Sequence, residues 1–191
     1  RVNIPEQDYP LTASSDISGS YLLEVDGFEE GNCFKTPIKQ VPVRIHYPDD
    51  DEIDVSQTQY ISNYVNNFEN VLYSNDFAHK TKGYRCMVDS VSLANWIIGT
   101  EVSANIDGFF SIYFYKKPQD PRLYWGPMWD YDIAYDNDIR KPYNDYKMMA
   151  DIGYGNAREW IVRMWEDPWF GKIVENRYNQ LIEQGLVEHM I

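Results

Sequence analysis

Between residues 89 and 132 the hydrophobic period switches from helical to alternating, and that switch fixes the local order of elements. Val91, Leu93, Ala94, Trp96, Ile97 and Val102 recur at helical spacing behind Asp89 and Ser90, either of which can cap a helix. Ala104-Asn105-Ile106-Asp107-Gly108 then reads as a loop. Residues 109–117 are β-branched and aromatic, Pro118-Gln119-Asp120-Pro121 is turn chemistry, and Leu123-Tyr124-Trp125 is a returning strand. The pattern predicts a β-hairpin that delivers the chain to Trp129-Asp130-Tyr131-Asp132. A hairpin brings its own ends together, so the loop at Asp107 and the segment at Asp130 can converge.

The flanks add elements around this center. Tyr21 to Val25 reads as a strand closed by Asp26-Gly27, and Val41 to Tyr47 as a second, whose Pro42 suits an edge or the start of pairing. The run Asp49-Asp50-Asp51-Glu52 is a solvated turn, because a calcium loop needs spaced ligands and a glycine. Ser56 and Gln59 form a capping-box pattern ahead of a helical stripe of Tyr60, Ile61, Tyr64, Val65, Phe68, Val71 and Leu72. Residues 136–156 read as a long loop, with Arg140, Lys141 and Lys147 as solvated charges or contacts for an acidic partner. A helix from Ala157 to Trp165 follows. A last one is capped by Asp167, with Pro168 at its first position and Gly185 as its stop. Its apolar stripe is Ile173, Val174, Tyr178, Leu181 and Ile182.

A chain of 191 residues supports one domain with one core. Its net charge of −13 repels phosphate backbones, which excludes nucleic-acid binding by bulk electrostatics; an anionic substrate would need a bridging cation. Cys33 and Cys86 form no CxxC pair, and His46, His79 and His189 show no ligand spacing, so a zinc site is not expected. No run is long enough to span a bilayer. The start at Arg1 and the end just past a helical pattern read as an excised segment of a longer polypeptide.

Helix, aspartate loop, hairpin, second aspartate is the order that phosphotransferases use to set two carboxylates about a transferring phosphoryl group. In that template Asp107 orients or deprotonates a hydroxyl and Asp130 holds a divalent cation. Asn105 supplies a hydrogen bond or supports the metal. Each piece also has a plainer reading: a loop aspartate is usually a turn or cap residue, and Trp129 can be a core aromatic. Tyr124 and Trp125 can stack on adenine or simply fill the core.

Taken together, Asn105-Ile106-Asp107, Tyr113-Phe114-Tyr115-Lys116 and Trp129-Asp130-Tyr131-Asp132 resemble the core of the spore-coat-H (CotH) kinase family. Tyr21 to Glu24, following Gly19, resembles the family's upstream strand, and the likeness is most specific over residues 101–134. The resemblance implies an α+β, protein-kinase-like fold, mainly the helical C-lobe with a β-hairpin carrying the catalytic segment. Residues 1–55 would be a remnant of the sheet and linker region, and 56–191 the helical catalytic lobe. It implies ATP with Mg2+ or Mn2+, and transfer of the γ-phosphoryl group to a Ser or Thr hydroxyl of a protein substrate. By the same resemblance Asp107 matches the catalytic aspartate, Asp130 the metal-binding one, and Asp132 adds a second carboxylate. An extracytoplasmic or cell-surface bacterial setting goes with it.

Two departures qualify that resemblance. Kinase loops carry an asparagine a few residues after the catalytic aspartate, whereas Phe109, Phe110 and Ser111 stand here. No glycine-rich loop and no strand lysine precede Tyr21, and Lys35 and Lys39 come too late. The nucleotide-gripping lobe is therefore expected to lie largely outside this segment, which by itself would be inactive. A pseudokinase or surface-assembly module is the alternative. A carbohydrate-active protein is the third reading, since acidic pairs beside Trp and Tyr also line sugar clefts.

Overall fold

The computed structural model describes residues 4–137 and 147–185. Strands β1 (Tyr21–Asp26), β2 (Cys33–Lys35), β3 (Pro42–Tyr47), β4 (Ser111–Lys116) and β5 (Leu123–Trp125) form one antiparallel sheet in the order β2-β3-β1-β4-β5. Helices α1 (Val55–Leu72), α2 (Ser90–Val102), α3 (Met149–Ile152), α4 (Arg158–Trp165) and α5 (Pro168–Glu183) complete a mixed α+β architecture. β1 lies between β3 and β4, so strands from the first 55 residues and the later hairpin share one sheet. Pro42 opens β3, which is an inner strand with β2 outside it; a residue at the start of pairing needs no ladder N–H.

The period-2 pattern assigns the two faces of this sheet different jobs. On β1, Tyr21, Leu23 and Val25 are fully buried on the helix-covered face, while Glu24 and Asp26 alternate to the other. Phe68 of α1, Phe114 of β4, Trp125 of β5 and Trp160 of α4 meet at the center of the core. Their ring centroids lie 5.4 Å (Phe68–Trp160), 6.0 Å (Phe114–Trp125) and 6.1 Å (Phe114–Trp160) apart. Glu69, fully buried beside them, is fully committed. It accepts from Thr36 Oγ1 at 2.6 Å, Ile38 N at 2.7 Å and Trp160 Nε1 at 2.9 Å, as buried charge requires.

Helix α1 begins two residues earlier than its Ser56/Gln59 pattern suggests. Asp54 is the N-cap: its carboxylate accepts from Ser56 N at 2.7 Å, and Gln57 Oε1 accepts from Asp54 N at 2.8 Å. An ionized cap outcompetes a serine for the same orphan N–H groups. Asp89 caps α2 as expected, accepting from Ser92 N at 2.9 Å. The hairpin and α2 are tied at their roots, because Leu123 N donates to Met87 O at 2.8 Å and Asp89 N to Leu123 O at 2.9 Å. That pairing fixes the start of α2 against the start of β5.

Three local expectations are corrected. The supposed loop 136–156 contains α3, anchored by Glu101, which accepts from Met149 N at 2.7 Å; Arg140 and Lys141 lie outside the described residues. Val91 (55% exposed) and Val102 (40%) stand outside the buried set of α2. On α5, Phe170 is the buried anchor, whereas Tyr178 and Ile182 of the expected stripe are exposed. Among the described residues, no helix is long and apolar enough to cross a membrane.

Candidate functional site

Asn105 is the pivot of the site. It follows Ala104, held at φ 51°, and is itself fully buried in the turn that leaves α2. Its Nδ2 donates to the backbone carbonyl of Asp130 at 3.3 Å, although 25 residues separate them. Asp130 adopts φ 55°, a left-handed conformation that non-glycine residues hold only where the surroundings impose it, often at functional sites. The hairpin thus brings the Asn-x-Asp loop and the Trp-Asp-x-Asp segment side by side. Further ties secure the second segment to α2. Tyr131 OH lies 3.2 Å from Thr100 Oγ1, and Tyr135 N donates to Ser103 O at 2.6 Å.

Asp107 sits half-buried in the same loop, with its carbonyl accepting from Phe110 N at 3.0 Å. Asp130 is exposed, and its carboxyl is pushed above the usual range by partial desolvation and by the neighboring Asp132 carboxyl. Asp130 and Asp132 thus present two carboxyls that repel one another. Asn105 Oδ1 is buried and has no hydrogen-bond partner among the described residues, a rare state for a buried acceptor. Among the described residues no group of three or more His, Cys, Asp or Glu is placed to hold a metal ion.

Tyr124 and Trp125 are placed differently from a base-stacking pair. Tyr124 is 7% exposed, stacks on Tyr115 at 5.1 Å and donates from its hydroxyl to Asp120 Oδ2 at 2.6 Å. Trp125, 4% exposed, is stacked on Phe114 in the core. Both rings are thus buried in the sheet, with Trp125 also lining a cavity beside Trp96 and Pro127. The aromatic that does stand open next to Asp130 is Trp129, 55% exposed, edge-on to Tyr113 at 5.6 Å.

Sequence reading missed a polar network on the face of the sheet opposite Tyr21, Leu23 and Val25. Glu24 on β1 pairs through Oε2 with His46 Nε2 of β3 and accepts through Oε1 from Ser111 Oγ of β4. Tyr113 OH lies 3.4 Å from the same His46 nitrogen. Burial would raise the Glu24 carboxyl, but the hydrogen bonds from His46 and Ser111 outweigh it and hold the group below its ordinary value. Ser111, the residue standing near the expected asparagine, is thereby committed to Glu24. Lys35 pairs with Glu29 at 2.7 Å, and Lys39 with Glu159 at 2.7 Å.

A family model described as CotH kinase protein matches residues 5–191. The chain belongs to the CotH kinase protein family. No curated protein and no solved structure matches it. In this CotH kinase family member, the residues that carry the resemblance are joined by a hydrogen bond, Asn105 to Asp130, as well as by sequence order.

Proposed function

We propose that this chain is the aspartate-bearing part of a kinase-like phosphotransferase, which moves the γ-phosphoryl group of ATP to a Ser or Thr hydroxyl of a protein. The observation that carries the reading is the Asn105–Asp130 hydrogen bond, which sets the Asn-x-Asp loop against the Trp-Asp-x-Asp segment. Asp107 would orient the acceptor hydroxyl and take its proton at a carboxylate oxygen. Asp130 and Asp132, with the Asn105 amide oxygen, would hold Mg2+ or Mn2+, hard ions that prefer oxygen ligands. When bound, such an ion offsets the charge of the phosphates, which this acidic protein would otherwise repel. Trp129 offers its exposed ring to a nucleobase in place of Tyr124 and Trp125.

The test is transfer of radiolabeled γ-phosphate from ATP to a mixed protein acceptor with Mg2+ or Mn2+, run beside Asp107→Asn. The assay uses the protein as its host produces it, because this segment by itself is expected to be inactive; transfer by that wild type that the substitution abolishes supports the reading, and no transfer by it under any metal condition sinks it. A pseudokinase is favored by one observation, the capture of Ser111 by Glu24. Metal-dependent ATP binding without any turnover would select that alternative.

A further inference from the structure

We infer that Gly155 is a positioning residue for Asp107, acting through the backbone of Phe109 and Phe110; the inference rests on the phosphotransfer reading of Asp107. The loop between α2 and β4 is gripped from far along the chain. Tyr154 N donates to Ile106 O at 2.7 Å, and Ala157 N to Phe109 O at 3.3 Å, so the two bonds bracket Asp107. Between them Gly155 lies at φ 118°, a conformation that side chains of L-residues rarely allow. A Cβ there would stand 2.0 Å from both Phe109 C and Phe109 O and 2.1 Å from Phe110 N. These are main-chain atoms, so no rotamer change makes room; the loop itself must move.

The displacement has a direct route to Asp107, because Phe110 N donates to Asp107 O at 3.0 Å. The strap 153–157 is itself fixed at its start. Glu101, in the last turn of α2, accepts from Met149 N at 2.7 Å and Ala150 N at 3.2 Å, and Gly153 N donates to Met149 O at 2.7 Å. The chain therefore leaves α2, forms the loop, and returns through the strap to hold both. A carboxylate moved by about 1 Å from its productive place can lose about a hundredfold in rate.

Gly171 supplies the control: its Cβ would stand 3.7 Å from Trp165 Cζ3, an ordinary contact. Gly155→Ala should speed amide hydrogen exchange over residues 105–110 and lower kcat by roughly tenfold to a hundredfold at unchanged KM for ATP. Gly171→Ala should do neither. If Gly155→Ala does not fold, Tyr154→Pro removes the N–H that reaches Ile106, and Tyr154→Ala subtracts the effect of losing the ring. The proline variant should then exceed the alanine variant in both readouts. Wild-type exchange and kcat in Gly155→Ala, or identical behavior of the two Tyr154 variants, would overturn the inference. A wild type that transfers no phosphoryl group even in the form its host produces instead overturns the phosphotransfer reading, and the exchange data alone then decide whether the strap holds the loop.

Discussion

Asn105 donates its side-chain amide to the carbonyl of Asp130 across 3.3 Å, and the same side chain keeps its oxygen buried without a hydrogen-bond partner among the described residues. On the proposed reading that oxygen is a ligand for the cation, while the amide nitrogen ties the two segments together. Asn105→Ala should weaken Mn2+ binding about 10- to 100-fold, the scale for losing a group that orients a metal ligand. Calorimetric titration of Mn2+ into wild type and variant measures it. Equal affinities would remove Asn105 from the site.

The two aspartates should separate by role. Asp130→Asn takes away a hard, charged oxygen and should weaken metal–nucleotide binding. Asp107→Asn should leave nucleotide affinity nearly intact yet slow transfer by about a hundredfold or more, the scale of a lost general base. Both proteins should fold, since Asp107 is half-buried and Asp130 exposed. Titration with ATP and Mn2+ alongside radiolabel transfer reads both effects. Loss of binding in Asp107→Asn with normal binding in Asp130→Asn would reverse the assignment.

Much of this site was legible because its parts are local. The helix, turn and hairpin of residues 89–132 follow from period and turn residues, and α2, β4 and β5 fall where those signals put them. The Glu24–His46–Ser111–Tyr113 network was not legible, because it depends on register. Glu24 faces Arg44 on one side and Tyr113 on the other, and a slip of one residue would turn either partner to the opposite face. Only the alternation of polar residues along three strands hinted at it. Trp125 was ambiguous for a related reason: a sequence shows an aromatic beside the motif, but not which face of the sheet it occupies.

The pH dependence of cation binding follows from the crowding of Asp130 by Asp132. Desolvation and that neighbor raise the Asp130 carboxyl, so it takes up a proton at a higher pH than an ordinary aspartate. Cation binding needs the ionized form, so Mn2+ affinity should fade as pH drops through this raised value. Asp132→Asn removes the repulsion and should move the midpoint of that fade to lower pH, whatever it does to affinity at neutral pH. Titrations of Mn2+ at successively lower pH, starting from neutral, test the shift. An unmoved midpoint would show that Asp132 does not act on Asp130.

Asp167 should anchor the stability of the helical side. It is fully buried at the N-cap of α5 and accepts from Arg85 Nη2 at 2.6 Å, Arg85 Nε at 2.8 Å, Tyr84 OH at 3.0 Å and Trp169 N at 3.0 Å. Burial alone would raise its carboxyl, but these donors, Arg85 foremost, outweigh that and hold it below the ordinary value. Asp167→Ala strands the Arg85 guanidinium and a buried tyrosine hydroxyl, and should cost about 3 kcal/mol at neutral pH, the lower end for breaking a buried ion pair, because Arg85 retains some contact with water. The sign of the pH effect is fixed by the depressed folded value. The stabilization is present above the ordinary aspartate range, about pH 4, and is lost as pH falls through the lower folded value. Urea unfolding of wild type and variant at neutral pH and at successively lower pH should therefore show a gap that narrows with acid. A gap that stays constant, or that widens, would mean that the ionized carboxylate is not what holds α5 to the turn at Tyr84 and Arg85.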